Sequence, residues 1–343
     1  MRRDLIHFAG KPLAGRYEPA SNDREMKYVF VCGLHRSGTT TLAQKIGELK
    51  NCTAFDNTGA IMGEGQHLQD VYLPDYIYGG VGKFGFASEA HLTEDSPLLT
   101  PENVSRLRQS WEGYWDRNKT IRIEKTPGNL LMTRFLQAAF PNTYFVVIKR
   151  HPVAVSLASQ KWSRTSLHHL FEHWLQCHEI FQKDKSYLKN LCELSYEAYV
   201  ENPNQHLARI ASFIGTEFSP TVNEETDVHN KKYFDRWAQM LQSSPFRPYY
   251  RAVAARYEKR FAEHGYSLVP VEIEATLSVG EDVPFTSALC LAADFYSSLW
   301  RVTMWLRRWF LKNARSLCPE RVRAILRNRK ANLAATADRT LSR

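Results

Sequence analysis

Short apolar runs alternate with segments of helical period along much of this chain. Tyr28 to Cys32 (YVFVC) is rich in aromatic and β-branched residues and predicts a buried strand. Thr41 to Leu49 then places Leu42, Ile46 and Leu49 on one helical face. Thr120–Glu124 predicts a short strand, Tyr144–Ile148 (YFVVI) a second clearly buried one, and Leu191–Leu194 another. Helices are predicted over Pro101–Arg117, Asn129–Phe140, Pro152–Trp162, Ser166–Leu188 and Pro203–Gly215. Strands alternating with helices predict an α/β fold of three layers, a mainly parallel sheet with helices on both faces. Asn51–Gly65 and Leu73–Pro101 show neither period. Their glycines and prolines predict loops, and a stretch as long as the second suits a lid or binding loop.

The loop between the first strand and first helix carries the strongest chemical signal. Gly33-Leu34-His35-Arg36-Ser37-Gly38-Thr39-Thr40 lies between a strand and a helix N-terminus, where backbone N–H groups and the helix dipole favour an anion. Set against the pattern G-x-x-x-x-G-K-[ST], Gly33 and Gly38 have the right separation and Thr40 stands at the hydroxyl position. Thr39 replaces the lysine, and Arg36 brings a cation from inside the loop. A loop without that lysine lacks the usual partner of a nucleotide γ-phosphate. The motif therefore predicts phosphate binding of a kind different from an ATPase.

GLHRSGTT resembles the 5′-phosphosulfate loop of sulfotransferases that use 3′-phosphoadenosine 5′-phosphosulfate (PAPS), and its arginine is similar to the tyrosylprotein and bacterial branches. The resemblance implies a P-loop-like fold and transfer of a sulfuryl group to an acceptor hydroxyl. It assigns His35, Arg36, Ser37, Gly38, Thr39 and Thr40 to the cofactor. Arg150 ends the YFVVIKR strand, as in the family, and is implied to hold the 3′-phosphate with a serine of the next helix. The family's position for that serine is Ala158 here, so Ser156 and Ser159 flank it as the candidates, Ser159 first. Tyr196, in Leu194-Ser195-Tyr196-Glu197, is similar to a family tyrosine near the nucleotide. Asn230-Lys231-Lys232-Tyr233 is loosely similar to a late lid over it.

Glu124-Lys125-Thr126-Pro127 resembles the segment whose lysine contacts the transferring group, so Lys125 is implied to support the leaving oxygen. Transfer to a hydroxyl also needs a base. Gly63-Glu64-Gly65-Gln66-His67 offers Glu64, similar to the base of the tyrosylprotein branch, and His67, since many cytosolic members use histidine. His169, His173 and Cys177 share one helical face, but no fourth ligand is apparent and the proposed chemistry requires no metal.

Composition narrows the classes further. Of 343 residues, 43% are hydrophobic and 24% charged, which excludes a disordered chain. The formal net charge is +9, with twelve Lys/Arg against two Asp/Glu in residues 301–343, so the excess sits in the tail. Trp300, Trp305 and Trp309 among Arg301, Arg307, Arg308, Lys312 and Arg315 resemble an interfacial helix, which points to peripheral membrane contact, packing on the body or pairing with another subunit. No basic surface interleaved with aromatics suggests nucleic acid. Six cysteines without a C-x-x-C pair, and an N-terminus without a signal-peptide core, predict reduced thiols and a cytoplasmic setting.

The expected organisation is a leader over residues 1–25, a PAPS-binding catalytic domain over 26–270 and a basic helical extension over 271–343. The alternatives are a P-loop small-molecule kinase and a non-catalytic nucleotide-binding scaffold at a membrane surface. The acceptor (glycan, lipid, peptide tyrosine or small molecule) and the oligomeric state are not legible.

Overall fold

The computed structural model describes residues 26–163, 165–219 and 228–269, together with scattered helical positions between 292 and 310. The chain divides into two units, Met1–Ala293 and Asp294–Arg343. The expected leader and the boundary at 270/271 lie outside the described residues.

Five strands form one parallel sheet: β1 (Lys27–Cys32), β2 (Cys52–Ala54), β3 (Ile121–Lys125), β4 (Thr143–Lys149) and β5 (Leu191–Ser195). They lie in the order β2-β3-β1-β4-β5. All run the same way, so every C-terminal end opens on one edge. Around them, in chain order, are α1 (Thr39–Gly47), α2 (Pro101–Glu112), α3 (Thr133–Ala139), α4 (Pro152–Ser163), α5 (Leu167–Asp184), α6 (Tyr196–Glu201), α7 (Pro203–Ile214), α8 (Val228–Gln242) and α9 (Arg247–Ala262).

The two-residue period of a strand separates the two cores. Tyr28, Phe30 and Cys32 of β1, with Phe145 and Val147 of β4, meet residues of α2, α3, α4, α5, α8 and α9 on one face. Val29 and Val31, with Val146 and Ile148, meet Leu42 and Ile46 of α1 and Leu207, Ile210 and Ile214 of α7 on the other. The sheet is thus covered on both sides, which is why its strands read as unbroken apolar runs. On the first face Trp111 stacks on Phe140 at 5.4 Å and Phe30 on Phe145 at 5.7 Å.

Most expected elements are present with shifted ends. The helix predicted over Pro101–Arg117 begins on Thr100, whose hydroxyl accepts from the Asn103 N–H, and gives way at Gly113. Asn129–Phe140 divides into a 3-10 turn at Pro127–Leu131 and α3, because Met132 leaves helical geometry. Strand β2, with three residues, is too short to show a period and is formed by pairing with β3. Three 3-10 turns occupy Asp75–Tyr78, Phe84–Phe86 and Ser88–Ala90, and they bury Tyr78, Phe84 and Ala90. The irregular stretch is therefore packed into the first core over much of its length. Among the described residues no helix is long and apolar enough to cross a membrane.

Candidate active site

The loop after β1 sits at the centre of the sheet's C-terminal edge. β3 delivers Lys125 on one side of it, and the end of β4 delivers Arg150 on the other. Open α/β sheets bind ligands at this edge.

The loop's form follows from its residues. Gly38 is the N-cap of α1, with φ of 91°, and a Cβ there would stand 2.8 Å from the Tyr196 ring. Only glycine lets backbone and ring approach so closely. Arg36 also has a positive φ, 69°, and the Ser37 N–H closes the turn on the Leu34 carbonyl at 3.0 Å. Arg36 itself is exposed, Thr39 is buried and Thr40 half-buried. The Ser37 hydroxyl is fully buried and has no hydrogen-bond partner among the described residues. No side chain caps α1, so its leading N–H groups line the loop.

Arg150 closes the other side. Its Nη1 donates to the Arg36 carbonyl at 2.7 Å, which joins the strand end to the loop. Its Nε and Nη2 both donate to Asn230 Oδ1, at 2.8 and 2.6 Å. The guanidinium lies 4.0 Å from the centre of the Tyr196 ring. Asn230 in turn donates to Glu197 Oε1 at 2.9 Å, and the same oxygen accepts the His151 N–H at 3.0 Å. A cavity of about 630 Å³ adjoins this clasp, lined in part by Lys149, His151, Glu197, Phe234, Trp237 and Tyr266. Burial lowers the His151 pKa to about 4, with the Arg150 charge acting in the same direction and a bond to the Ser267 carbonyl opposing it.

The opposite flank holds the expected base and cation together. Lys125 Nζ donates to Glu64 Oε1 at 3.1 Å and to the Met62 carbonyl at 3.1 Å. Both side chains are about 7% exposed, so little solvent screens the pair. Gln66 Nε2 donates to the other Glu64 oxygen at 2.7 Å. Gln66 Oε1 accepts the Asp75 N–H at 2.9 Å, and Asp75 Oδ2 lies 3.1 Å from His35 Nε2. A continuous chain of contacts therefore runs from the phosphate loop through His35, Asp75, Gln66 and Glu64 to Lys125. Burial alone would raise the Asp75 pKa, but the hydrogen bond and charge of His35, with Gln66, hold it below the usual range. His67 Nε2 stands 3.8 Å from Glu64 Oε2, beside the pair but beyond hydrogen-bond distance.

Glu124 fixes this flank from behind. It is almost fully buried and accepts from the Gly65 N–H at 2.9 Å, Thr126 Oγ1 at 2.6 Å and Asn129 Nδ2 at 2.5 Å. A Cβ on Gly65 would fall 2.7 Å from Glu124 Oε1, so the residue after the candidate base has no room for a side chain. Burial raises the Glu124 pKa against the pull of these donors and of Lys125.

Ser156 and Ser159 are placed differently. Both are buried and line a cavity of about 10 Å³, room for one water, with His35, Gly82, Leu170 and His173. Arg150 is not among its lining residues. His173 Nε2 lies 3.5 Å from Cys177 Sγ, and Phe86 packs on the His169 ring at 4.5 Å. The four cysteines within the described residues are free and buried. Sequence alone gives Asn230, Gln66, Asp75 and Glu124 no role of their own. Asn230 and Gln66 stand inside motif segments, but an amide that clasps an arginine has no sequence signature.

Fold and site together define an α/β protein with a glycine-bearing loop and a buried carboxylate–ammonium pair at the C-terminal edge of its sheet. The profile of the sulfotransferase family matches residues 29–220, more than half of the chain, and the chain belongs to that family. Among solved structures, the sulfotransferase domain from the curacin biosynthetic pathway is 14% identical, over 67% of this chain and 97% of its own, with a TM-score of 0.40. Sulfotransferase STF1 from Mycobacterium tuberculosis is 15% identical over 69% and 77%, with a TM-score of 0.43. Mouse sulfotransferase SULT7A1, solved complexed with PAP, is 15% identical over 66% and 72%, with a TM-score of 0.34. No curated protein matches the chain.

Proposed function

We propose that the protein transfers the sulfuryl group of PAPS to an acceptor hydroxyl, with Gly33–Thr40 and Arg150 on the donor and Glu64 and Lys125 on the reacting atoms. One observation carries the reading: Arg150 donates to the backbone of Arg36 at 2.7 Å, so the two anion-binding elements share one edge and one ligand can span them. The buried Ser37 hydroxyl, the exposed Arg36 and the leading N–H groups of α1 fit a phosphosulfate. Arg150, set against Tyr196, fits the 3′-phosphate. Ser156 and Ser159 act from behind the loop, through the His35 cavity, in this reading.

In the reaction the acceptor oxygen attacks sulfur, its proton passes to the Glu64 carboxylate, and the bond from sulfur to the 5′-phosphate oxygen breaks. The leaving oxygen keeps that electron pair, and Lys125 offsets its charge. Lys125 also fixes Glu64, so base and leaving-group support share one anchor. A base facing the acceptor while the donor is held in line contributes about 10²–10⁴-fold. His67 supports the same role from 3.8 Å away. In the tail, the described Leu299, Val302, Leu306, Trp309 and Phe310 are exposed, which supports the reading of an apolar helical face for peripheral membrane contact in a cytoplasmic protein.

The test is turnover of radiolabelled PAPS by the full chain with mixed acceptors, beside Glu64→Gln. Label should move to acceptor with wild type and fall about 10²–10⁴-fold with the variant. Transfer at an undiminished rate in the variant would remove Glu64 from the mechanism, and transfer from ATP instead would restore the kinase alternative.

A further inference from the structure

His35 belongs to the glycine loop, yet its ring reaches the flank that carries Glu64. Nε2 lies 3.1 Å from Asp75 Oδ2. The ring meets Phe84 edge-on at 5.8 Å, and the residue borders the small cavity shared with Ser156 and Ser159. Asp75 is buried, and its ionised carboxylate can only accept, so His35 Nε2 carries the proton between them. The backbone is pinned on both sides of His35. The Leu34 carbonyl accepts the Ser37 N–H at 3.0 Å, and the Arg36 carbonyl accepts Arg150 Nη1 at 2.7 Å. The ring is therefore an arm of the loop, and its end rests on Asp75.

Beyond Asp75 the contact is passed on by an amide with one workable orientation. Gln66 Oε1 accepts the Asp75 N–H at 2.9 Å, and Nε2 donates to Glu64 Oε2 at 2.7 Å. Turned over, the amide would set its oxygen against a carboxylate oxygen and its N–H against another N–H. The other Glu64 oxygen accepts from Lys125 at 3.1 Å. Each oxygen thus has its own donor, and the carboxylate cannot rotate without losing one. Gln66 and Glu64 are 2 and 5% exposed, so water does not readily replace a lost bond here. Three contacts in series, from His35 to Asp75, Asp75 to Gln66 and Gln66 to Glu64, join the loop to the carboxylate.

We propose that His35 and Gln66 are positioning residues, an assignment that rests on the donor loop and the Glu64 base proposed above. They carry the geometry of the loop to the carboxylate, so that the base faces the acceptor hydroxyl in line with the bound donor. The His35 side chain serves the base and adds little to nucleotide affinity.

The test uses the full chain. His35→Phe keeps a ring beside Phe84 and removes the donor to Asp75, whereas His35→Gln restores a side-chain N–H. Each is made alone and with Glu64→Gln. Turnover of radiolabelled PAPS is followed beside calorimetric binding of 3′-phosphoadenosine 5′-phosphate (PAP). His35→Phe should lower kcat by about 10–10²-fold, keep PAP affinity within about twofold, and cost nothing further in the Glu64→Gln background. His35→Gln should recover most of the rate. A PAP affinity that falls about tenfold with kcat unchanged would make the ring a donor ligand and overturn the proposal. An equal loss in both backgrounds, or no recovery with His35→Gln, would reduce the ring to packing and overturn it too. Gln66→Met, which fills similar space without the amide, reads the chain from its other end, and an undiminished kcat there would also overturn it. Full turnover by Glu64→Gln would overturn the base reading itself. Loss of turnover in Glu64→Gln beside a fully active His35→Phe would overturn this assignment alone.

Discussion

The two flanks of the loop are built in different ways. The Arg150 flank comes from regular structure: a strand end, a glycine-capped helix and the first turn of α8, where Asn230 grips the guanidinium. The Glu64 flank comes from 3-10 turns without period, held by a buried ion pair and by Glu124 beneath. In the proposed function, donor binding depends on the sheet itself, and acceptor chemistry on a loop whose conformation is maintained by polar contacts in a poorly screened setting. Changes on the first flank should act on nucleotide affinity, and changes on the second on turnover and local stability.

The largest expected effect separates the flanks outright. Lys125→Met leaves Glu64 buried without its cation and removes support for the leaving oxygen. Turnover should fall by about 10³-fold and unfolding free energy by about 3–5 kcal/mol, with PAP affinity changed little. Calorimetry and stopped assays check both, and a large loss of PAP affinity would merge the two flanks into one. Next, Arg150→Ala should weaken PAP binding by about 1.5–3 kcal/mol, the scale of a hydrogen bond to a charged group, while a folded thermal transition persists.

Smaller effects sharpen the boundary. Gly65→Ala forces a methyl to within 2.7 Å of Glu124 Oε1 and should cost about 1–3 kcal/mol in chemical denaturation. Asn230→Ala removes the acceptor shared by two Arg150 nitrogens, so the KM for PAPS should rise several-fold while kcat changes little. An unchanged KM would reduce Asn230 to packing. Last comes acid. Burial lowers the His178 pKa to about 3 and that of His151 to about 4. Each lies below the unfolded value of about 6.5, so the unfolded chain binds more protons between those values and stability falls as pH drops. The melting temperature should be level above about pH 7 and drop by on the order of 5 °C by pH 5. A constant midpoint over that range would mean that neither ring is held neutral by the fold.

The fold was legible because its sheet is buried on both faces. Val29 and Val31 on one side and Phe30 on the other leave no polar position to break the run. The turn between β1 and α1 was legible because its glycines are fixed by geometry that only glycine meets, as the Tyr196 ring against Gly38 makes plain. The Glu64 flank was legible in its residues and not in its form. Gln66, Asp75 and Glu124 come together from segments up to 60 positions apart, held by single hydrogen bonds that impose no period on the sequence. The serines after Arg150 show the same limit. The resemblance assigned Ser156 and Ser159 to the 3′-phosphate, and no sequence pattern showed that both also line the small cavity beside His35.

In the proposed function, the loop and Arg150 hold the two ends of one nucleotide. Titration calorimetry of PAP against the same nucleotide without its 3′-phosphate, in wild type and Arg150→Ala, tests it most directly. Wild type should bind PAP at least tenfold more tightly, and the variant should lose that preference while still binding the 5′-phosphate end. Equal affinity of wild type for both nucleotides, or a preference that survives in the variant, would contradict it.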